Sequence, residues 1–152
     1  MKMDSNDPKA RLFARNMHTP DDEQRAALRA ALRETSKTLL PMHRAMIDAA
    51  KDEYSFAVAP IESPTHLLQL IQGDAFFEWL KPITALIVDI DEMVRRDFTP
   101  ADAIAIADRL DGLFGLKADP LFSERYLPLL QREIDVTIGH AAIRKMIARL
   151  RS

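Results

Sequence analysis

The sequence predicts an all-α fold, a single-domain bundle of about six or seven helices. Apolar residues recur mostly at intervals of three and four, the helical period, and strand-like alternation between turns is absent. Only four glycines interrupt the 152 residues, and three Ser-Pro or Thr-Pro pairs combine an N-cap with a first-turn proline. We therefore expect one bundle domain over residues 19–152, preceded by a polar, flexible arm over residues 1–18.

A long first helix is predicted from Thr19-Pro20 to about Phe56, because this pair precedes three acidic residues that suit the positive end of a helix dipole. Pro41 lies inside this helix. Proline removes one helical hydrogen bond, so a bend or a break into two helices is expected there. One apolar seam follows the helix in steps of four and three: Leu28, Leu32, Thr35, Leu39, Met42 and Met46.

Similar signals predict the remaining helices. Ser63-Pro64 begins a short helix that ends at Gly73, and the last helix is expected to run from Val136 to about Leu150. Between them, Pro82 is expected to kink or restart a helix. The other predicted caps are Asp74, Thr99, Ser123 and Asp135.

Composition limits the classes of function. With 47% hydrophobic and 29% charged residues, the chain is expected to fold rather than remain disordered. The formal charge of −2 gives no electrostatic footprint for nucleic acid. The absence of cysteine excludes thiolate metal sites and cysteine catalysis, and it fits a reducing cytoplasm. The most apolar segment, PITALIVDIDEMV, is too short and too acidic to span a bilayer. From charge, cysteine content and this segment together, we expect a cytoplasmic protein with neither a nucleic-acid nor a membrane partner.

Two histidines lie on apolar helix faces. His43 has apolar neighbours at offsets of three, four and seven residues, and His140 shares a stripe of the last helix with apolar residues. A paired site for a metal, a cofactor or proton transfer is one interpretation, with Asp89 and Tyr54 as further candidate ligands. The favoured interpretation is structural: each histidine is satisfied by a carboxylate or a backbone carbonyl. For His43 we expect a largely buried ring bonded to Asp89 first, or to a carbonyl second.

Motifs with established chemistry are absent from the sequence. It contains neither the Glu-x-x-His of bundle di-iron sites nor the His-Glu-x-x-His of zinc proteases. It also lacks a phosphate-binding glycine loop and a Gly-x-Ser-x-Gly nucleophile elbow. We therefore predict no cofactor, and catalysis is the less favoured class.

The segment AFFEWL places three large aromatic residues within four positions: Phe76, Phe77 and Trp79. At helical spacing they point to several sides. They predict either a plug between helices or a subunit interface or small-ligand pocket, where aromatic residues are enriched.

A basic stripe follows the first helix at four-residue spacing. It comprises Arg25, Arg29, Arg33 and Lys37. A solvated face is the favoured interpretation, because the opposite face is the apolar seam, and a contact for an acidic partner is the alternative.

Three stretches resemble a family of uncharacterised bacterial all-helical proteins. They are DAFFEWLKPITALIVDIDEMV, IDAAKDEY and YLPLLQREIDVTIGHAAIR. The likeness lies in an aromatic-Trp-Leu-x-Pro segment that leads into an apolar-acidic helix, and in a His-Ala-Ala near the C-terminal end. It implies a compact helical domain in a bacterial cytoplasm and no known activity.

Two classes of function follow from these observations. The first is a non-enzymatic interaction or structural protein that forms a homodimer or contacts another protein, since exposed apolar area of the AFFEWL kind usually marks an interface. The second is a small-molecule or metal-binding protein that uses His43 and His140.

Overall fold

The computed structural model describes residues 20–152. Within these residues there are only helices and connections, which confirms the predicted all-α bundle. The predicted arm over residues 1–18 lies outside the described part. The helices are α1 (Pro20–Ala57), α2 (Pro64–Gly73), a 3-10 helix (Ala75–Leu80), α3 (Lys81–Met93), α4 (Pro100–Phe114), α5 (Pro120–Arg132) and α6 (Ile134–Arg151).

Three predicted caps begin helices as expected. Asp74 accepts a hydrogen bond from the Phe76 backbone N–H at 2.9 Å at the start of the 3-10 helix. The Ser63 hydroxyl accepts a hydrogen bond from the His66 backbone N–H at 3.0 Å at the start of α2. Thr99 and Asp102 form a reciprocal capping box at the start of α4, with distances of 2.9 and 3.2 Å. Each pair satisfies backbone donors that have no partner within the helix.

The fifth α-helix begins earlier than predicted. Asp119 is its N-cap and accepts from the Leu121 N–H at 3.1 Å, so Ser123, the predicted cap, lies inside the helix. The pair Asp119-Pro120 is the same cap-plus-proline signal that begins α2 and α4, although Asp119 was not among the predicted caps.

The junction between α5 and α6 also differs from the prediction. A single residue, Glu133, with extended backbone angles of −101° and 112°, separates the two helices. Asp135, the predicted cap, lies in the first turn of α6, where its carboxylate faces the positive end of the helix dipole.

Helix α1 is 38 residues long and continues through Pro41, so of the bend or break expected there the break does not occur. Pro41 is exposed, and the hydrogen bond that its ring removes therefore lies on the solvent side of the helix. None of the helices described here, α1 included, combines the length and the apolar run needed to cross a bilayer.

The core lies between α1 and the helices that pack on it. All six residues of the predicted seam are buried. At Gly139 of α6, an added Cβ would lie 2.2 Å from Met42 Cγ of α1, so only glycine lets these two helices approach as they do. This contact between Met42 and Gly139 is important for the site, because the next residue on each helix is one of the two histidines.

Candidate functional site

The Glu133 junction folds α5 and α6 back on each other and brings a tyrosine to a histidine. Tyr126 lies seven residues before Glu133, and His140 lies seven residues after it. Tyr126 Oη and His140 Nδ1 are 2.8 Å apart, and the two rings stack with centroids 5.8 Å apart at 28°. Phe114, at the end of α4, packs edge-on against both rings.

Burial determines which atom of this pair holds the proton. Tyr126 is 1% exposed, and burial raises its pKa well above the ordinary value, so the hydroxyl stays neutral. Within residues 20–152 its oxygen has no other hydrogen-bond partner, and a buried hydroxyl needs an acceptor for its proton. We infer that Tyr126 donates to Nδ1 of His140.

The imidazole of His140 is consequently a donor at its other nitrogen. Burial, and secondarily the charge of Arg144, lower the pKa of His140 below its ordinary value, so the ring is neutral at pH 7. A neutral imidazole whose Nδ1 accepts a hydrogen bond has its proton on Nε2. None of the described residues hydrogen-bonds to that Nε2–H.

His140 lies in the wall of a cleft of about 330 Å³ between the end of α4, the following loop, α5 and α6. The walls are mainly apolar, and no Asp or Glu is among the described residues that line them. Concave, mostly apolar surfaces with a few convergent polar groups are typical of small-molecule sites. The apolar wall comprises Leu113, Phe114, Leu116, Leu127 and Leu130, and the polar side chains are Ser123, Tyr126, His140 and Arg144.

His43 lies in a different environment, at the interface of α1 with α3. Its Nε2 is 3.0 Å from the hydroxyl oxygen of Thr84, and that hydroxyl donates its one proton to the Leu80 carbonyl at 3.3 Å. The ring is half-buried, and burial lowers its pKa. His43 thus links α1 to the first turn of α3.

The predictions for the partner of His43, Asp89 first and a backbone carbonyl second, are both wrong, because the ring bonds to the Thr84 hydroxyl. Asp89 accepts instead from Arg109 of α4 at 2.7 Å. Thr84 and Asp89 are five residues apart on α3, which turns their side chains about 140° from each other around the helix axis. The first faces α1, and the second faces α4.

The histidines do not share a partner. His43 and His140 follow Met42 and Gly139, where α1 packs tightly on α6, but His43 bonds to α3 and His140 bonds to α5. In the described part of the chain, no three His, Asp or Glu side chains are grouped to hold a metal ion. The candidate set of two histidines with Asp89 and Tyr54 is therefore divided among separate places.

Tyr54 and the AFFEWL segment form an aromatic cluster that Trp79 connects to Phe122, with ring centroids 5.9 Å apart. The Tyr54 ring lies 5.4 Å from Phe76 and 5.6 Å from Phe77, and Phe77 is fully buried. Phe76 and Trp79 are half-buried beneath the Arg125 guanidinium, which lies 4.5 and 5.4 Å from their ring centroids. This arrangement agrees with the plug between helices, and it leaves Phe77 enclosed rather than available to a partner.

The residues of the basic stripe of α1 differ in their surroundings. Arg25 and Arg33 are exposed. Arg29 packs its guanidinium over the Phe98 ring at 5.0 Å and donates to the Val94 carbonyl, so it fastens α1 to the segment after α3. Arg25, Arg33 and the likewise exposed Lys37 therefore remain open to an acidic partner.

Searches against protein-family models, curated proteins and solved structures found no match to this chain. The sequence had indicated His140 as a candidate ligand but not Tyr126, its partner, or Arg144, which lies one turn further along α6 in the same cleft. A signal for Tyr126 existed: residues equally distant from a one-residue helix junction meet when the two helices fold back.

Proposed function

We propose that this protein is a non-enzymatic binding protein that holds a small, partly apolar molecule in the cleft beside His140. The observation that supports this most is the hydrogen bond of the buried Tyr126 to His140 within an apolar wall. The hydroxyl of Tyr126 orients the imidazole, and a ligand then meets a preorganised Nε2–H donor.

The protonation of the pair favours binding over catalysis. A general base must offer a free lone pair to the proton that it removes. His140 uses its lone pair at Nδ1 on Tyr126, and its second nitrogen is protonated, so toward the cleft it is an anchor rather than a base.

A fragment screen by ligand-observed NMR tests this proposal. We expect fragments that bind the wild type to lose binding in Ala118→Phe, because Ala118 lines the cleft and a phenyl ring there fills it. Binding is expected to weaken in His140→Leu and to persist in His43→Leu, the matched histidine outside the cleft. Hits that survive Ala118→Phe, or that are lost equally in His43→Leu, would contradict the proposal.

We also propose self-association as a homodimer, through a surface other than the predicted one. Large apolar side chains are exposed on the α5–α6 side and on the loop before it: Leu116, Leu121, Leu127, Ile134 and Ile138. A group of large exposed apolar side chains favours an interface. Sedimentation velocity is expected to give a dimer that Ile138→Glu dissociates and that Phe56→Glu, an exposed position on α1, leaves intact. A monomer at all micromolar concentrations would refute it.

We place both functions in the cytoplasm. A chain without cysteine loses no covalent support in a reducing compartment. Fractionation of cells that express the natural protein tests this, and recovery outside the cytoplasmic fraction would contradict it.

A further inference from the structure

We propose that the ligand of the His140 cleft is a small carboxylic acid with an apolar, ring-sized body. This inference rests on the proposed binding function and specifies the chemistry that the cleft selects. It follows from three features of the cleft. Its polar groups are hydrogen-bond donors, Arg144 keeps N–H groups for a ligand, and the apolar part has the size and lining for one ring.

The polar groups of the cleft donate hydrogen bonds. His140 presents an Nε2–H, and Arg144 lies four residues later on the same face of α6. Ser123 adds a hydroxyl from α5. A carboxylate accepts from all three groups, whereas an ammonium group would meet two donors and one hydroxyl without any carboxylate among the described lining residues.

Arg144 keeps donors for a ligand although it already has a partner. Its Nη1 is 3.2 Å from Asp111 Oδ1, and its side chain is 40% exposed. The guanidinium has five N–H groups, so one bond to a carboxylate leaves others free to turn toward the cleft. Arg151 approaches Asp111 at 3.5 Å and Asp108 more closely, at 2.8 Å, so two arginines and two aspartates lie together beside the cleft. Among the described residues that line the cleft itself, Arg144 is the one with a full charge.

The apolar part of the cleft sets the size and shape of the ligand. A volume of about 330 Å³ holds roughly ten water-sized groups, which corresponds to one ring and a short chain. Leucines line most of it, and the Phe114 and Tyr126 rings supply surfaces for edge-to-face or offset contact with an aromatic body.

Three probes that differ only in the end group test the inference. They are 3-phenylpropionate, its neutral amide 3-phenylpropanamide and the cationic 3-phenylpropylamine. In ¹H–¹⁵N NMR titrations of the wild type at pH 7.5, the acid is expected to bind about tenfold more tightly than the amide, since a charge-assisted hydrogen bond is worth that much. The amine is expected to bind more weakly than the amide, and the shifts are expected in α5 and α6.

The arginine is tested against a matched control. Arg144→Gln is expected to reduce the affinity for 3-phenylpropionate about tenfold, to that of the amide, and to leave amide binding unchanged. Arg109→Gln is the control, because the Arg109 side chain is 41% exposed and also binds one aspartate, but outside the cleft. It is expected to change neither affinity. Circular dichroism verifies that both variants keep the wild-type helical content.

Failure of this inference is distinguishable from failure of the proposed function. Equal affinity for acid and amide, or a preference for the acid that persists in Arg144→Gln, overturns the carboxylate class and leaves small-molecule binding intact. Absence of binding by all three probes also overturns it, and the Ala118→Phe fragment screen then decides on the binding function separately. Shifts confined to residues outside α4, α5 and α6 overturn both.

Discussion

His43 and His140 occupy similar positions on their helices but have different hydrogen-bond partners and surroundings. Each is half-buried, each follows a residue of the Met42 and Gly139 contact, and burial lowers the pKa of both. His43 bonds to an exposed threonine in a helix-to-helix link. His140 bonds to a buried tyrosine in the wall of a cleft. Both histidines lie on an apolar helix face, so that position alone does not distinguish them. They differ in the burial of the hydrogen-bond partner and in the presence of a cleft beside the ring.

The largest expected difference in stability is between variants that truncate the hydrogen-bond partners of the two histidines, Tyr126 and Thr84. Tyr126→Ala is expected to lower the free energy of unfolding by about 3–5 kcal/mol, because a nearly fully buried ring leaves a cavity among aromatic neighbours. Thr84→Ala, at an exposed position, is expected to lower it by less than about 0.5 kcal/mol. Urea unfolding followed by circular dichroism measures both. Costs of similar size would show that the two histidine partners are equivalent, contrary to the comparison.

The second-largest effect concerns the contact between Met42 and Gly139, the residues that precede the two histidines. Gly139→Ala is expected to destabilise by about 1–2 kcal/mol, since overpacking against buried Met42 exceeds the gain in helix propensity. In a Met42→Ala background, the space is free and the same change is expected to stabilise by about 0.5–1 kcal/mol. A double-mutant cycle by urea unfolding measures the coupling. Additive effects would mean that the helices can separate here at no cost.

The third prediction removes only the hydrogen bonds. Tyr126→Phe is expected to cost about 1 kcal/mol, because it leaves the Nδ1 acceptor of His140 without its buried donor. Thr84→Val is expected to cost less than about 0.5 kcal/mol, since water can reach the half-exposed His43. A Tyr126→Phe and His140→Leu double variant is the control and is expected to recover part of the loss. An equal cost for both single variants would remove the distinction between the sites.

Most helix limits were predictable because their signals are local. Ser63-Pro64 and Thr99-Pro100 combine an N-cap with a fixed proline angle, and both begin helices as expected. The start of α5 differs from the prediction: Ser123 was the predicted cap, although Asp119-Pro120 contains the same signal four residues earlier.

The partners of the histidines were not predictable in the same way. The register of α1 against α3 depends on connections and packing between residues 43 and 84, and no local rule sets it. Spacing along α3 could not distinguish Thr84 from Asp89, because that depends on which neighbouring helix each side chain faces. The Tyr126 and His140 pair was accessible in principle, because a junction of one residue makes the register of α5 and α6 nearly local.

The smallest expected effect is the response of the two histidines to pH. Since burial lowers both pKa values below the ordinary value of 6.5, the unfolded chain takes up protons before the folded chain does as the pH falls. The stability that the neutral rings contribute is therefore present at pH 7 and above, and it is lost as the pH falls below about 6.5.

Variants can assign this loss to each histidine. His43→Gln and His140→Gln are each expected to flatten the decline of unfolding free energy between pH 7 and pH 5, measured by urea titration at several pH values. Arg144→Gln is expected to flatten this decline slightly, because the Arg144 charge is the second cause that lowers the His140 pKa. This additional effect should vanish in a His140→Gln background and persist in His43→Gln. If Arg144→Gln acts equally in both backgrounds, its charge acts on the whole fold rather than on His140, and the electrostatic difference between the two histidines is refuted.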